Sequence, residues 1–122
     1  MAGAKHNQRA KGMQYEKLAA EFLEQKGFQV LQHNFYSRYG EIDLIARDEG
    51  YLVFVEVKYR ESSRSGYPLE AVDGRKRRKI CRTADAYCLR YGYSEGTPCR
   101  FDVVGIRGDE IIHILDAFEY VR

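Results

Sequence analysis

The chain has 122 residues, 44% of them hydrophobic and 31% charged, with a formal net charge of +2 at pH 7. That length supports one domain, residues 1–122, over a single core, and the composition excludes a disordered or fibrous protein. No apolar run approaches a membrane span, and residues 1–9 lack the apolar stretch of a secretory signal, so a cytoplasmic protein without a membrane partner is expected. Residues 1–11 are small and polar and read as a flexible tail. From 12 to 26, Tyr15, Leu18, Ala19, Phe22 and Leu23 recur at the spacing of one buried helical stripe, and Gly27 stops the helix. Glu16 adjoins that stripe; it is either a solvated helix acid or one directed along a sheet edge. Residues 28–35 form a first strand, and 36–40 a loop.

Residues 40–60 are the centre of the chain. Two runs rich in Ile, Val and Phe flank Asp48-Glu49-Gly50, which predicts a β-hairpin of buried strands. With Glu49-Gly50 as a two-residue loop, Asp43 falls opposite Glu56 and Glu41 opposite Lys58. Side chains alternate with period two, so Glu41, Asp43, Glu56 and Lys58 share one face, and Ile42, Leu44, Val53, Val55 and Val57 the other. Directly opposed residues have Cβ atoms roughly 4.5–5.5 Å apart, so two carboxylates there repel unless a cation stands between them. A hard divalent cation suits that place, since Mg²⁺ is held by one or two carboxylates with phosphate and water completing its shell. The competing reading is a set of surface charges at strand ends, with Glu41 and Lys58 as an ordinary cross-strand pair. A slip of one residue would separate the two acids.

Residues 61–68 are polar and turn-rich and read as a mobile loop at the mouth of any site near Lys58; 69–72 form a short turn. Asp73 N-caps a second helix over 74–91, with Ile80, Ala84, Tyr87, Cys88 and Tyr91 on its buried face and Gly92 beyond its end. Arg75, Lys76, Arg77, Arg78, Lys79 and Arg82 crowd its first turns, where cations oppose the helix dipole; they form either a solvated face or a phosphate-binding surface. Residues 99–106 form a strand, 107–110 a turn and 111–115 a last, edge-like strand. The order is αβββαββ, an α/β chain with a mixed sheet of about five strands flanked by helices. Cys81 and Cys88 lie about 10 Å apart by helix rise, too far for a disulfide, so buried free thiols are expected; His6, His33 and His113 form no zinc pattern. Oxygen ligands are left as the route to any metal. The charge is uneven: Lys58, Arg60, Arg64, residues 75–79 and Arg82 make a basic stretch beside the acidic hairpin, an arrangement suited to a polyanion brought near a carboxylate-held metal.

Asp43 followed in the next strand by Glu56-Val57-Lys58 matches the Asp…(Asp/Glu)-x-Lys signature of the PD-(D/E)xK, restriction-endonuclease-like nuclease superfamily. The blocks Gly12-x-x-x-Glu16-x-x-Ala19, residues 40–45, Val53-Phe54-Val55-Glu56-Val57-Lys58-x-Arg60 and residues 100–104 resemble, more closely, the YraN-like bacterial family, itself similar to archaeal Holliday-junction resolvases. The resemblance covers nearly the whole chain and implies a restriction-endonuclease-like fold. It implies Asp43 and Glu56 as metal ligands with the Val57 carbonyl assisting, Lys58 as the catalytic lysine, Glu16 as a helix acid completing the site and Glu41 as an accessory acid. Ile42 stands where the superfamily's name-giving proline would be.

Together these readings predict a Mg²⁺- or Mn²⁺-dependent endonuclease hydrolysing phosphodiester bonds in DNA, in preference to RNA, and linked to repair or recombination. Arg60, Arg64, Arg75, Lys76, Arg77, Arg78, Lys79 and the 62–67 loop would grip backbone phosphates, contacts that carry no sequence information, so selection by DNA structure is expected. The alternative is a non-catalytic nucleic-acid-binding protein that keeps the nuclease fold; a third reading is a structural Mg²⁺ or Ca²⁺ clamp. A junction resolvase would need a homodimer with two-fold-related sites, and the sequence shows no clear dimer patch.

Overall fold

The computed structural model describes residues 2–60 and 73–122, and for residues 2–10 the backbone alone. The expected loop 61–68, the turn 69–72 and Arg64 lie outside the described residues. In chain order the elements are α1 (Ala2–Gln25), β1 (Gln29–Ser37), β2 (Gly40–Asp48), β3 (Tyr51–Arg60), α2 (Gly74–Arg90), β4 (Cys99–Arg107) and β5 (Glu110–Ile114). The five strands form one sheet in sequential order. Only the β3–β4 pair is parallel, because α2 carries the chain back across the sheet between them.

Helix α1 begins at Ala2, well before the expected start at Gly12. The added turns draw on Ala, Lys, Gln and Arg, strong helix formers that need no buried stripe. Its core contacts begin with Tyr15, as the periodicity predicts, and Ala19 and Leu23 are fully buried. Leu18, however, is exposed and Ala20 takes its place, since a small residue lets the helix approach the strands. Gly27 ends the helix at φ 98°, with the Phe28 amide donating to the Leu23 carbonyl at 3.0 Å and the Gly27 amide to the Glu24 carbonyl at 3.0 Å, the paired bonds of a Schellman stop. Helix α2 has the expected N-cap: the Asp73 carboxylate accepts from the Lys76 amide at 2.9 Å. It buries Ile80, Cys81, Thr83, Ala84 and Tyr87. Cys88 is half-buried and packs against the core these residues enter, as expected, whereas Tyr91, expected on the buried face, is half exposed at the helix end, with its ring 4.7 Å from that of Tyr87.

The sheet has a core on each side. On the α1 side Leu44, Ala46, Val53, Val55, Val57, Val104 and Ile106 pack against Ala19, Ala20, Leu23 and Phe28. On the α2 side Ile45, Leu52, Phe54, Phe101 and Val103 pack against Ile80, Ala84, Tyr87 and Phe118. The hairpin turns on Glu49 and Gly50, both at positive φ (49° and 86°), the geometry of a type I′ turn. Its register is the expected one, from Asp48↔Tyr51 to Leu44↔Val55. Beyond that pair the ladder stops, and two expectations need correction. Asp43↔Glu56 and Glu41↔Lys58 are not ladder pairs, and Ile42 packs in the α2-side core with Ile45 and Phe54 rather than with Leu44. The alternation switches at Asp43. In β1 it switches at Asn34, which adopts φ 52° between His33↔Leu44 and Phe35↔Ile42.

A buried polar network joins the ends of several elements. Asp102, 1% exposed, receives two bonds from Arg100 (2.8 and 3.0 Å), one from the Asp116 amide (3.0 Å) and one from His113 Nε2 (2.8 Å). Arg100 also reaches Asp48 at 3.0 Å, and Lys26 Nζ meets His113 Nδ1 at 2.7 Å. An ammonium only donates, so Nδ1 accepts and Nε2–H donates to Asp102. Among the described residues no buried side-chain nitrogen or oxygen lacks a partner. Of the cysteines, Cys81 alone is buried; Cys88 is half-buried, and Cys99 is exposed and donates to the Thr97 carbonyl at 3.4 Å. The expectation of three buried thiols is corrected accordingly.

Burial raises the pKa of Asp102, but the bonds from His113, Arg100 and Asp116 outweigh it and hold the carboxyl below its ordinary range. A depressed pKa contributes stability above the unfolded value, about 3.9, that is lost as pH falls through the folded one. Asp102→Asn is expected to cost about 3 kcal/mol, the cost of breaking a buried pair, in urea unfolding at pH 7. The gap to wild type should narrow in melts taken below about pH 4.

Candidate active site

The two halves of the hairpin part at Asp43. There the Val57 amide donates to Asp43 Oδ2 at 2.8 Å, so a side chain takes the place of a backbone acceptor and lies between the strands. Asp43 is 9% and Glu56 8% exposed. Burial first, and then the Glu56 charge, push the Asp43 carboxyl up to about 8, against the lowering pull of the Val57 bond; Glu16 and Glu41 add to the rise. Glu16, on α1, lies near Asn34 and Asp43, and its carboxyl is also raised, chiefly by burial. Asp43 thus feels the charges of Glu56, Glu16 and Glu41, and it flanks a split in the ladder with Glu56 rather than forming an opposed pair.

Lysines face these acids. Lys76, in the first turn of α2, places Nζ 2.9 Å from Glu56 Oε1 and lies close enough to Lys58 for the two amines to influence each other. Burial, then the bond and charge of Lys76, pull Lys58 down to about 8. Burial lowers Lys76 as well, but its bonds to Lys58 and Glu56 raise it overall. Of the two, Lys58 is the lysine nearer neutrality. The site carries a buried acid pair, an amine near its titration point and a second amine that stays charged.

The remaining cations divide. Arg75, Arg78 and Lys79 are exposed along the first turns of α2. The Arg77 guanidinium stands 5.5 Å from the Phe118 ring centroid, and Arg60 donates to the Tyr59 carbonyl at 2.8 Å. Lys76 turns inward to Glu56, whereas sequence reasoning assigned it to phosphate. Asn34 was missed altogether. Its signal was an Asn inside an apolar strand, since Asn is among the few residues that tolerate a left-handed backbone.

Among the described residues no group of three or more His, Cys, Asp and Glu side chains stands ready to hold a metal. Asp43 and Glu56 supply two carboxylates, enough for a hard cation that completes its shell with phosphate and water. Burial is the first cause of the raised Asp43 carboxyl and the Glu56 charge the second; a hard cation would offset the second, so the two carboxylates fit such a cation. The site lies where the parallel strands β3 and β4 end and α2 begins, the customary place for a binding site on a sheet with a crossover helix.

The class defined by this architecture is an α/β domain with an acid–lysine cluster where a hairpin splits. The chain belongs to the uncharacterised protein family UPF0102, whose family model matches residues 15–106. That span contains Glu16, Asn34, Asp43, Glu56, Lys58 and Lys76. The chain is similar to UPF0102 proteins of Lachnoclostridium phytofermentans (47% identical over 113 residues, 93% of this chain and 96% of the relative) and Persephonella marina (44% over 109 residues, 89% and 93%). It is also similar to one of Symbiobacterium thermophilum (53% over 91 residues, 75% and 76%).

A carboxyl with a raised folded pKa contributes stability below its unfolded value and loses it as pH climbs through the folded one, here about 8. Asp43→Asn keeps an oxygen to accept from Val57 and abolishes the charge. In chelator-treated samples it is expected to melt higher than wild type at pH 8, by more than about 1 kcal/mol of stability. The advantage should shrink as the melts move toward pH 5.

Proposed function

We propose that the chain is a metal-dependent phosphodiesterase with a restriction-endonuclease-like fold, cutting DNA in preference to RNA. The observation that carries the reading is the pair of buried carboxylates, Asp43 and Glu56, brought together beside Lys58 at a break in the ladder. A core has no use for this arrangement, because it leaves Asp43 in a site that disfavours its charge. Asp43 and Glu56, with the Val57 carbonyl, would hold Mg²⁺ or Mn²⁺. The ion supplies a Lewis acid toward a phosphoryl oxygen and makes water more acidic. Lys58 stands on the strand two residues beyond Glu56, where its amine can take a proton from water when neutral or donate to a phosphoryl oxygen when charged. Glu16 orients Asp43 from the α1 side and is itself oriented by Asn34. Lys76 offsets the negative charge of Glu56 until phosphate and metal arrive.

Arg75, Arg78 and Lys79 supply exposed cations for backbone phosphates along the first turns of α2. Such contacts position DNA without reading sequence, which supports selection by structure and a role in repair or recombination. Cutting a four-way junction symmetrically would further require a homodimer. The second reading, a non-catalytic nucleic-acid-binding protein, is favoured by the Lys76–Glu56 ion pair, in which an amine stands where a metal would compete for the carboxylate.

The deciding experiment is cleavage of labelled duplex, flap, four-way-junction and single-stranded DNA in Mn²⁺ by wild type, Asp43→Ala and Lys58→Ala. Cleavage by wild type that falls at least roughly a hundredfold in either variant, with binding retained, is the expected result. Tight, salt-sensitive binding with no cutting of any substrate would favour the second reading. Binding that does not weaken between low and moderate salt would remove the phosphate role of the α2 cations.

A further inference from the structure

Each of the two carboxylates at the split in the ladder already has a partner, and the two partners are unlike. Asp43 Oδ2 accepts from the Val57 amide at 2.8 Å. That donor is backbone inside β3 and cannot withdraw without moving the strand. Glu56 Oε1 is met by Lys76 Nζ at 2.9 Å. This donor ends a flexible four-carbon stem on another element, and 39% of the Lys76 side chain is exposed, against 10% for Glu56. The ammonium can therefore swing toward solvent while Glu56 stays in place. The backbone of Lys76 is fixed. Its amide donates to the Asp73 carboxylate at 2.9 Å, the Arg77 amide donates to the Asp73 carbonyl at 2.9 Å, and one turn later Ile80 is buried in the α2-side core.

An ion pair of this kind is open to exchange at both ends. A divalent cation on Glu56 would share the carboxylate with the ammonium, and two cations in such close contact repel strongly where water is scarce. A phosphate oxygen is the competitor at the other end, because a lysine ammonium binds phosphate as a point charge. Whichever ligand arrives first removes the partner that the second must displace. Metal on Glu56 leaves Lys76 without its carboxylate and available to phosphate. Phosphate draws Lys76 away and uncovers Glu56 for metal.

We propose that Lys76 is an exchangeable counterion that couples the two ligands of the acid–lysine cluster: it stands in for the divalent cation on Glu56 and, once exchanged, becomes a contact to the phosphodiester. The inference rests on the metal-dependent reading above and adds to it how metal and nucleic acid bind as a pair. Coupling is reciprocal, so the factor by which nucleic acid tightens metal binding is the factor by which metal tightens nucleic-acid binding. Without nucleic acid the ammonium keeps metal affinity low, and the loaded site forms where a phosphodiester is present.

The test follows Mn²⁺ binding by titration calorimetry, and binding of a labelled four-way junction with hydrolysis-resistant phosphorothioate linkages, with and without Mn²⁺. Wild type is compared with Lys76→Met, Lys76→Arg and Lys79→Met. Met keeps an unbranched stem and removes the charge, whereas Arg keeps the charge and a bidentate hold on the carboxylate. Lys79, exposed one turn further along α2, reports the loss of a cation from the same helix end. Without DNA, Lys76→Met should bind Mn²⁺ at least roughly fivefold more tightly than wild type, the low end of ordinary coupling. Lys76→Arg should bind it no more tightly, and Lys79→Met should change little. The gain in junction affinity on adding Mn²⁺ should be smaller in Lys76→Met than in wild type. An unchanged Mn²⁺ affinity in Lys76→Met, or an equal rise in Lys79→Met, would overturn the exchange and leave the metal-dependent reading standing. So would a wild-type junction affinity that ignores Mn²⁺. Mn²⁺ binding by Lys76→Met, with none by wild type even on the junction, would make the pair a permanent block and overturn the exchange as well. If neither protein bound Mn²⁺, both readings would fall together. Should Lys76→Met melt too low to titrate, Lys76→Arg decides: Mn²⁺ binding no tighter than wild type supports the exchange, and tighter binding overturns it.

Discussion

The bond from the Val57 amide to the Asp43 carboxylate is the contact on which the rest of this molecule turns. In an unbroken hairpin that amide would seek a backbone carbonyl across the ladder or on the other neighbour. Here a carboxylate takes it, and β2 and β3 separate after Leu44↔Val55. A buried amide must be satisfied, and a buried carboxylate must be bonded or paired. Each meets the other's requirement. The outcome is a gap in the sheet lined by an acid, into which Glu16 from α1, and Glu56 with Lys58 and Lys76 from the α2 side, can project.

Two cores hold that gap open. The α1-side and α2-side clusters each pack strand residues on either side of Asp43, so the strands are fixed on both faces where the ladder splits. The alternation switch at Asn34 and Asp43 lets Ile42 and Phe35 join the α2-side core while Leu44 faces α1. Without it, one of these residues would meet solvent or the acids. At the far end the Asp102 network ties β4 to β5, to Asp48 and to the residue that follows α1. Arg100 and Asp102 belong to the stretch 100–104 that marks the family resemblance, and Asp102 pairs with Val55 in the ladder. Yet its carboxylate is taken up by Arg100, His113 and the Asp116 amide rather than by the acid–lysine cluster. A motif residue is therefore not always a site residue, and burial with complete hydrogen bonding is what separates the two here.

The division of the basic run follows from the same geometry. At a helix start successive side chains point in different directions, so residues 75–79 cannot act as one patch. Lys76 is aimed at Glu56, Arg77 at Phe118, and Arg75, Arg78 and Lys79 at solvent. The unfavourable position of cations at a helix N-terminus is relieved for Lys76 by the Glu56 carboxylate. The same pair links α2 to β3 at the point where the sheet opens.

Much of this was legible in the sequence because it depends on local rules. Strand length, turn chemistry, glycine stops and an aspartate cap act over a few residues, and they predicted the order αβββαββ, the Glu49-Gly50 turn with its register, and the Asp73 cap. Asp43, Glu56 and Lys58 were visible as charges set among apolar strand residues. Tertiary structure alone decided where the ladder ends, because a side chain replacing a backbone acceptor leaves no mark on the hydrophobic alternation. It alone sent Ile42 to the other core, placed Lys76 on Glu56 and brought Asn34 to Glu16. These outcomes join residues far apart in the chain, and they depend on which groups remain to be satisfied once the strands and helices have packed.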